Sequence, residues 1–168
     1  AATEISKQNI INMGEEPWRV LISGAPALDN LQTMSLLDSN TLFSKLNVNC
    51  TRKPLIVTYH PVTLEYEQTE WQTKQLLQAL RAFKLPIIFT MPNADTYGSI
   101  IRDSFKIFTK EHPNSVIFEN LGTQDYFSLM ANAAAMVGNS SSGIVEAPSL
   151  ELPTVNIGAR QAGRERAK

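Results

Sequence analysis

Cysteine is nearly absent: the 168-residue chain has one, Cys50. An internal disulfide is excluded, and so is a zinc site built on several thiolates. Histidine is almost as scarce. His60 and His112 stand far apart, with no metal-ligand spacing between them and Cys50, so no metal site is expected. Charge of one sign is lacking too: 15 Lys and Arg face 16 Asp and Glu, for a net charge of −1. No global basic field is available to hold a nucleic acid or an anionic membrane. The local exception is the tail, where Arg160, Arg164, Arg166 and Lys168 cluster. No apolar run approaches the ~20 residues that span a bilayer. Three signatures are missing as well. There is no GxxxxGK[ST], no GxGxxG after a strand and no GxSxG, which argues against a P-loop NTPase, an ordinary NAD site and a nucleophile elbow. The opening AATEISKQNIINMGEE is polar and mixed in charge, unlike a secretory leader. With its single thiol, the chain is expected in the reducing cytoplasm.

What is present is alternation. Short apolar runs occur at WRVLISG (18–24), PLIVTYH (54–60), PIIFTMP (86–92), SVIFE (115–119), AAMVGN (134–139) and PTVNIG (153–158). Continuous short apolar runs are the pattern of strands buried on both faces. Helical stretches separate them: 65–83, with Trp71, Leu76, Leu77, Leu80 and Phe83 on one side; 97–112, with Ile101, Phe105 and Phe108; and 123–133, capped by Gly122 or Thr123. Pro54, Pro86 and Pro153 stand at strand starts, where a missing N–H costs little. Trp18, Trp71 and the other aromatics read as core. The pattern predicts a single α/β domain over 1–168, a Rossmann-like parallel sheet of about six strands with helices on both faces.

In such sheets ligands bind beyond the carboxyl ends of the strands. Polar residues with chemical capacity gather in those loops. Asn139 and Ser140 to Ser142 follow a strand and open a helix, a junction that accepts phosphate. Gly138 and Gly143 beside them let backbone come close. A single serine acting as an N-cap explains less, because three are present. Glu146 is in the wrong register for a capping box, since Gly143 stands three residues before it. It is either a solvated glutamate on a first helical turn or a partner for ribose hydroxyls. His60 ends a strand before Pro61, where an imidazole can contact a diphosphate or exchange a proton, or simply bond a local carbonyl. His112 is at a helix end and suits the dipole there. Asn93 and Asp95, in PNAD, are good turn residues that can also read a polar ligand. Arg160 is either a bidentate phosphate partner or a surface arginine.

YHPVT, PNAD and above all GNSSSGIVEAPSLELPTVNIGARQAGRER resemble the C-terminal half of hydrolysing UDP-N-acetylglucosamine 2-epimerases, in the branch that serves sialic and legionaminic acids. The resemblance covers essentially the whole chain and about half of the family's length. It implies the C-terminal domain of a GT-B fold, facing a second Rossmann-like domain across a cleft. It implies elimination of UDP from a UDP-sugar to a glycal, then hydration to free N-acetylmannosamine or a related sugar, with no metal, NAD or other cofactor. Carried onto this sequence, it makes His60 the catalytic, phosphate-contacting histidine. Ser140 and Ser141 become the diphosphate serines, Glu146 the ribose ligand, and Arg160, Asn93 and Asp95 further UDP-site residues. PNADTYGS is longer than the turn relatives often show, which leaves Asp95 the least fixed of these roles.

The resemblance also implies what is missing. Residues 1–16 match a linking helix from an N-terminal domain, which carries the groups that take the C2 proton, and a closing C-terminal helix follows in the family. The expected partners are therefore UDP or a UDP-sugar and the missing domain, not nucleic acid or membrane. The chain alone is expected to be inactive, to expose apolar surface and to self-associate through it. Two other readings stay open: the nucleotide-sugar half of a GT-B glycosyltransferase, and a non-enzymatic remnant.

Overall fold

The computed structural model describes residues 1–92 and 97–166. Five parallel strands form its sheet: β1 (Leu55–Thr58), β2 (Ile87–Thr90), β3 (Ser115–Phe118), β4 (Ala135–Gly138) and β5 (Thr154–Asn156), in the order β3-β2-β1-β4-β5. The three prolines precede strands as expected and still help the ladder. Each lacks a donor, but the carbonyls of Pro54, Pro86 and Pro153 accept from Ala134, Leu55 and Met136, each at 2.8 Å.

Among the described residues, seven α-helices accompany the sheet: α1 (Glu4–Asn12), α2 (Ala27–Thr33), α3 (Ser39–Lys45), α4 (Thr69–Leu80), α5 (Gly98–Glu111), α6 (Gly122–Ala131) and the single turn α7 (Ser142–Val145). On one face Val57 and Phe89 pack with Leu76 and Leu80 of α4 and with Ile101, Phe105 and Phe108 of α5. On the other, Ile56, Ile88 and Met136 pack with Leu42 of α3 and with Phe127, Leu129 and Met130 of α6. The fold is therefore the expected Rossmann-like α/β layer, with helices on both sides of a parallel sheet.

Four expectations need correction. Trp18–Gly24 is not a strand. Its start is a 3-10 turn, Pro17–Arg19, and the stretch after it bonds the chain start: the Ala1 amine donates to Leu21 O and Ser23 N donates to Ala1 O. An apolar run becomes a strand only where it pairs into a sheet, and here it does not: Leu21 is left 75% exposed. The tryptophans are not core either. Trp18 is 72% and Trp71 61% exposed. Trp18 donates to Glu16 and lies under the Arg19 guanidinium. Trp71 and Phe83 flank an open groove of about 640 Å³ where α4 overhangs Val137, Val155 and Ile157, so apolar surface is indeed exposed. The expected helix over 65–83 is divided, a 3-10 stretch at Thr63–Gln68 leading into α4, with a non-helical Glu65. The cap of α6 is Leu121, with the Asn120 side chain accepting from Gly122 N.

The chain winds outward from β1 to β3, then crosses back to lay β4 on the other side of β1. The order thus reverses between β1 and β4, and the crevice at such a reversal is where open α/β sheets bind ligands.

Candidate functional site at the carboxyl ends of β1 and β4

The β1–β4 pairing ends at Thr58 and Gly138. Asn139 follows, fully buried, and every polar group it has is used. Its N–H donates to Thr58 O at 3.1 Å. Its Oδ1 accepts from His60 N and its Nδ2 donates to His60 O, both at 2.8 Å. Its carbonyl accepts from Arg160 Nη1 at 3.1 Å and from Gln161 Nε2 at 2.9 Å. Three loops, those after β1, β4 and β5, meet on this one residue. Asn139 therefore acts as a scaffold for its neighbours.

His60 is buried, 7% exposed, directly beyond β1. Ser140 to Ser142 turn the chain into α7. The turn uses its own amides: Ser142 N donates to Ser140 Oγ at 3.3 Å, Gly143 N to Ser140 O, and Ile144 and Val145 N to Ser141 O. One turn of helix carries little dipole, so the serine hydroxyls are the main polar groups this stretch brings to the site. The glycines serve packing. A Cβ on Gly138, at φ +141, would fall on the Thr58 carbonyl, and one on Gly143 would meet the Thr154 methyl at 2.7 Å.

Glu146 stands at the C-cap of α7, outside the first helical turn where a solvated residue was one reading. It is half-buried, and its Oε2 has no hydrogen-bond partner among the described residues; the same holds for Gln161 Oε1. Buried acceptors without donors are costly and uncommon, and a ligand hydroxyl is the complement they call for. Arg160 is half-buried and tied to the Asn139 carbonyl, so the surface reading does not hold. His112 behaves as expected, stacked on Phe108 at 3.9 Å with Nδ1 against the Phe108 carbonyl.

Sequence reasoning missed three hydroxyls. Thr58 and Thr90 join Oγ1 to Oγ1 at 2.6 Å across β1 and β2. Tyr126, on α6, sets its hydroxyl against those of Ser142, Thr58 and Ser140. Burial first, and the Glu146 charge after it, raise the pKa of this phenol, while the three hydroxyls oppose them. Tyr126 sits in the amphipathic pattern TQDYFSLM, where nothing separates it from a core aromatic. Gln161 had a signal, lying beside Arg160 in GARQAGR.

The structure brings His60, Ser140, Arg160 and the Asn139 hub together, with Glu146 close to the Tyr126 hydroxyl. Asn93 and Asp95 lie outside the described residues. Among the described residues no group of three or more His, Cys, Asp or Glu can hold a metal, and no helix is long and apolar enough to cross a membrane.

Comparison with known proteins gives a consistent picture. The family description "UDP-N-acetylglucosamine 2-epimerase" matches residues 1–168. A GDP/UDP-N,N'-diacetylbacillosamine 2-epimerase (hydrolyzing) from Campylobacter jejuni is 38% identical over 98% of this chain and 44% of its own length. A UDP-N,N'-diacetylbacillosamine 2-epimerase (hydrolyzing) from Legionella pneumophila is 37% identical over 99% of this chain and 44% of its own length. The Escherichia coli polysialic acid biosynthesis protein P7 is 34% identical over 98% of this chain and 42% of its own length. The chain thus spans less than half the length of these relatives. Two solved structures share the fold. The S. aureus MnaA–UDP co-structure superposes with a TM-score of 0.70 at 17% identity, covering 95% of this chain and 41% of that one. UDP-GlcNAc 2-epimerase from Neisseria meningitidis, bound to UDP-GlcNAc, also gives 0.70, at 16% identity over 93% of this chain and 43% of that one. With its whole length matched, the chain belongs to the UDP-N-acetylglucosamine 2-epimerase family.

Proposed function

We propose that this chain is the UDP-holding half of a hydrolysing 2-epimerase that acts on a UDP-linked 2-acetamido sugar. The observation that carries the reading is the convergence of His60, the serine turn and Arg160 on Asn139 at the sheet's reversal point. Family membership supports the activity. The printed activities of the relatives support a substrate of the acetylglucosamine or diacetylbacillosamine type.

The chemistry follows from what these groups can do. UDP leaves from C1 as C2 gives up its proton, so negative charge grows on the diphosphate. Arg160 and the hydroxyls of Ser140 and Ser141 offer donors to that charge, and fixed donors stabilise developing charge best. His60 can donate to the departing phosphate oxygen. Glu146, an acceptor, takes the neutral ribose hydroxyls and keeps away from phosphate. The base for the C2 proton belongs to the partner domain across the cleft, with residues 1–16 as the link to it. Without that domain the reacting groups are not held together, so this chain binds UDP weakly and turns over no substrate. Asn93 and Asp95 are assigned to the same nucleotide site.

Calorimetric titration with UDP, beside a Ser141→Ala, Glu146→Ala double variant, tests this. Binding by the wild type that the variant loses is the expected result. No heat and no change in melting temperature up to millimolar UDP would sink the reading.

A further inference from the structure

The β1–β4 ladder does not stop where its strands stop. Beyond the last pair, Thr58 with Gly138, the Asn139 side chain meets the backbone of His60. Its carboxamide is chemically a peptide group, one acceptor and one donor held in a plane. It receives His60 N–H on Oδ1 and gives Nδ2–H to His60 O, both at 2.8 Å. The next residue, Pro61, has no N–H and continues no ladder. His60 is thus gripped on both backbone polar groups by a side chain with no exposed surface. The same residue's main-chain carbonyl holds Arg160 and Gln161.

We propose that Asn139 is the positioning residue of the nucleotide site: its carboxamide sets where the His60 imidazole stands relative to the diphosphate, while its carbonyl sets Arg160. This rests on the UDP reading above. A carboxamide is the one side chain of this length that meets both His60 groups in a neutral state. Aspartate would set a second acceptor against the His60 carbonyl, and leucine would remove both of these hydrogen bonds. The side chain and the carbonyl act separately, so replacing the side chain disturbs His60 and spares the Arg160 anchor.

The test is a cycle of Asn139→Ala, His60→Ala and the double variant, each titrated with UDP and with uridine, with melting temperatures alongside. Asn139→Ala is expected to weaken UDP by about tenfold or more, the scale of a lost charge-assisted bond, and uridine by less than about threefold. In the His60→Ala background the UDP loss should disappear while the melting-temperature loss persists, because the backbone of residue 60 loses the same two hydrogen bonds whichever side chain it carries. Equal losses for UDP and uridine, or a UDP loss undiminished without the imidazole, overturn the proposal. Should Asn139→Ala not fold, Asn139→Ser, which keeps one hydroxyl for His60, carries the same comparison. If the wild type binds no UDP, the nucleotide reading falls and the NMR titration of the His60 imidazole decides. An Asn139 substitution that moves its midpoint by about half a pH unit supports positioning, and an unmoved curve overturns it.

Discussion

Asn139 and His60 exchange two hydrogen bonds of 2.8 Å, side chain to backbone, across the ends of two parallel strands. The pair joins the loop after β1 to the loop after β4 without any regular structure. Everything chemically interesting nearby is placed relative to it: the serine turn follows Asn139 directly, and Arg160 hangs on its carbonyl.

Gly138 is what lets Asn139 reach. Its φ of +141 lies where side chains are strained, and a Cβ there would fall on the Thr58 carbonyl, a backbone atom that cannot rotate away. Gly138→Ala should therefore destabilise the fold by about 2–4 kcal/mol, strain and overpacking together. Urea denaturation measures it. A midpoint within error of the wild type would show that the strand ends are softer than their bonding implies.

Tyr126 gives an alkaline signature. Its phenol titrates above the ordinary 10.0, first because it is buried and then because of the Glu146 charge. Tyr59 is raised as well, by burial and then by Glu65. A raised folded pKa means the unfolded chain gives up its proton first. The stabilisation is full below pH 10 and is lost as pH climbs through the folded value. Tyr126→Phe should flatten the fall in melting temperature above pH 10. An alkaline limb as steep as the wild type's would assign that fall elsewhere.

The layer architecture was legible because buried parallel strands and amphipathic helices each leave a period. Leu55–Thr58 and Ile87–Thr90 are continuous apolar runs, and Ile101, Phe105 and Phe108 recur at helical spacing. Residues 25–53, which hold α2 and α3, gave no such period: both helices are seven residues long, and of these only Leu42 is buried. Trp18–Gly24 misled for a different reason. Apolar continuity reports a preference for burial, and only pairing into a sheet turns it into a strand. At the candidate site, His60, Ser140, Glu146 and Arg160 stand out in the sequence because they fall in the few loops that follow strands. Asn139 reads in the sequence as a ligand group with the serines, because sequence does not say that an amide side chain will stand in for a peptide.

Asp38 predicts an acid signature in α3. Its carboxylate accepts from Asn40 N, Thr41 N and the Thr41 hydroxyl. The Thr41 hydroxyl, then the Thr41 backbone, hold its pKa below the ordinary 3.8. A depressed folded pKa contributes stability above the unfolded value and loses it as pH falls through the folded one. Asp38→Ala should lower the melting temperature at pH 7, and the gap from the wild type should close as pH drops below 3.8. A gap that stays constant down to pH 2 would mean that the carboxylate's charge plays no part in the cap.

Glu146 offers the sharpest test of ligand chemistry. Among the described residues its buried Oε2 has no hydrogen-bond partner, and a ligand donor would supply one. Phosphate brings no proton at neutral pH, whereas a ribose brings two hydroxyls. Glu146→Ala should therefore weaken UDP by about 10- to 100-fold, the scale of roughly 1.5–3 kcal/mol for a hydrogen bond to a charged group. The same substitution should cost almost nothing against 2′,3′-dideoxy-UDP, which cannot donate from the ribose. The wild type should in turn bind the dideoxy compound about as weakly as the variant binds UDP. A loss equal for both nucleotides would separate Glu146 from the ribose.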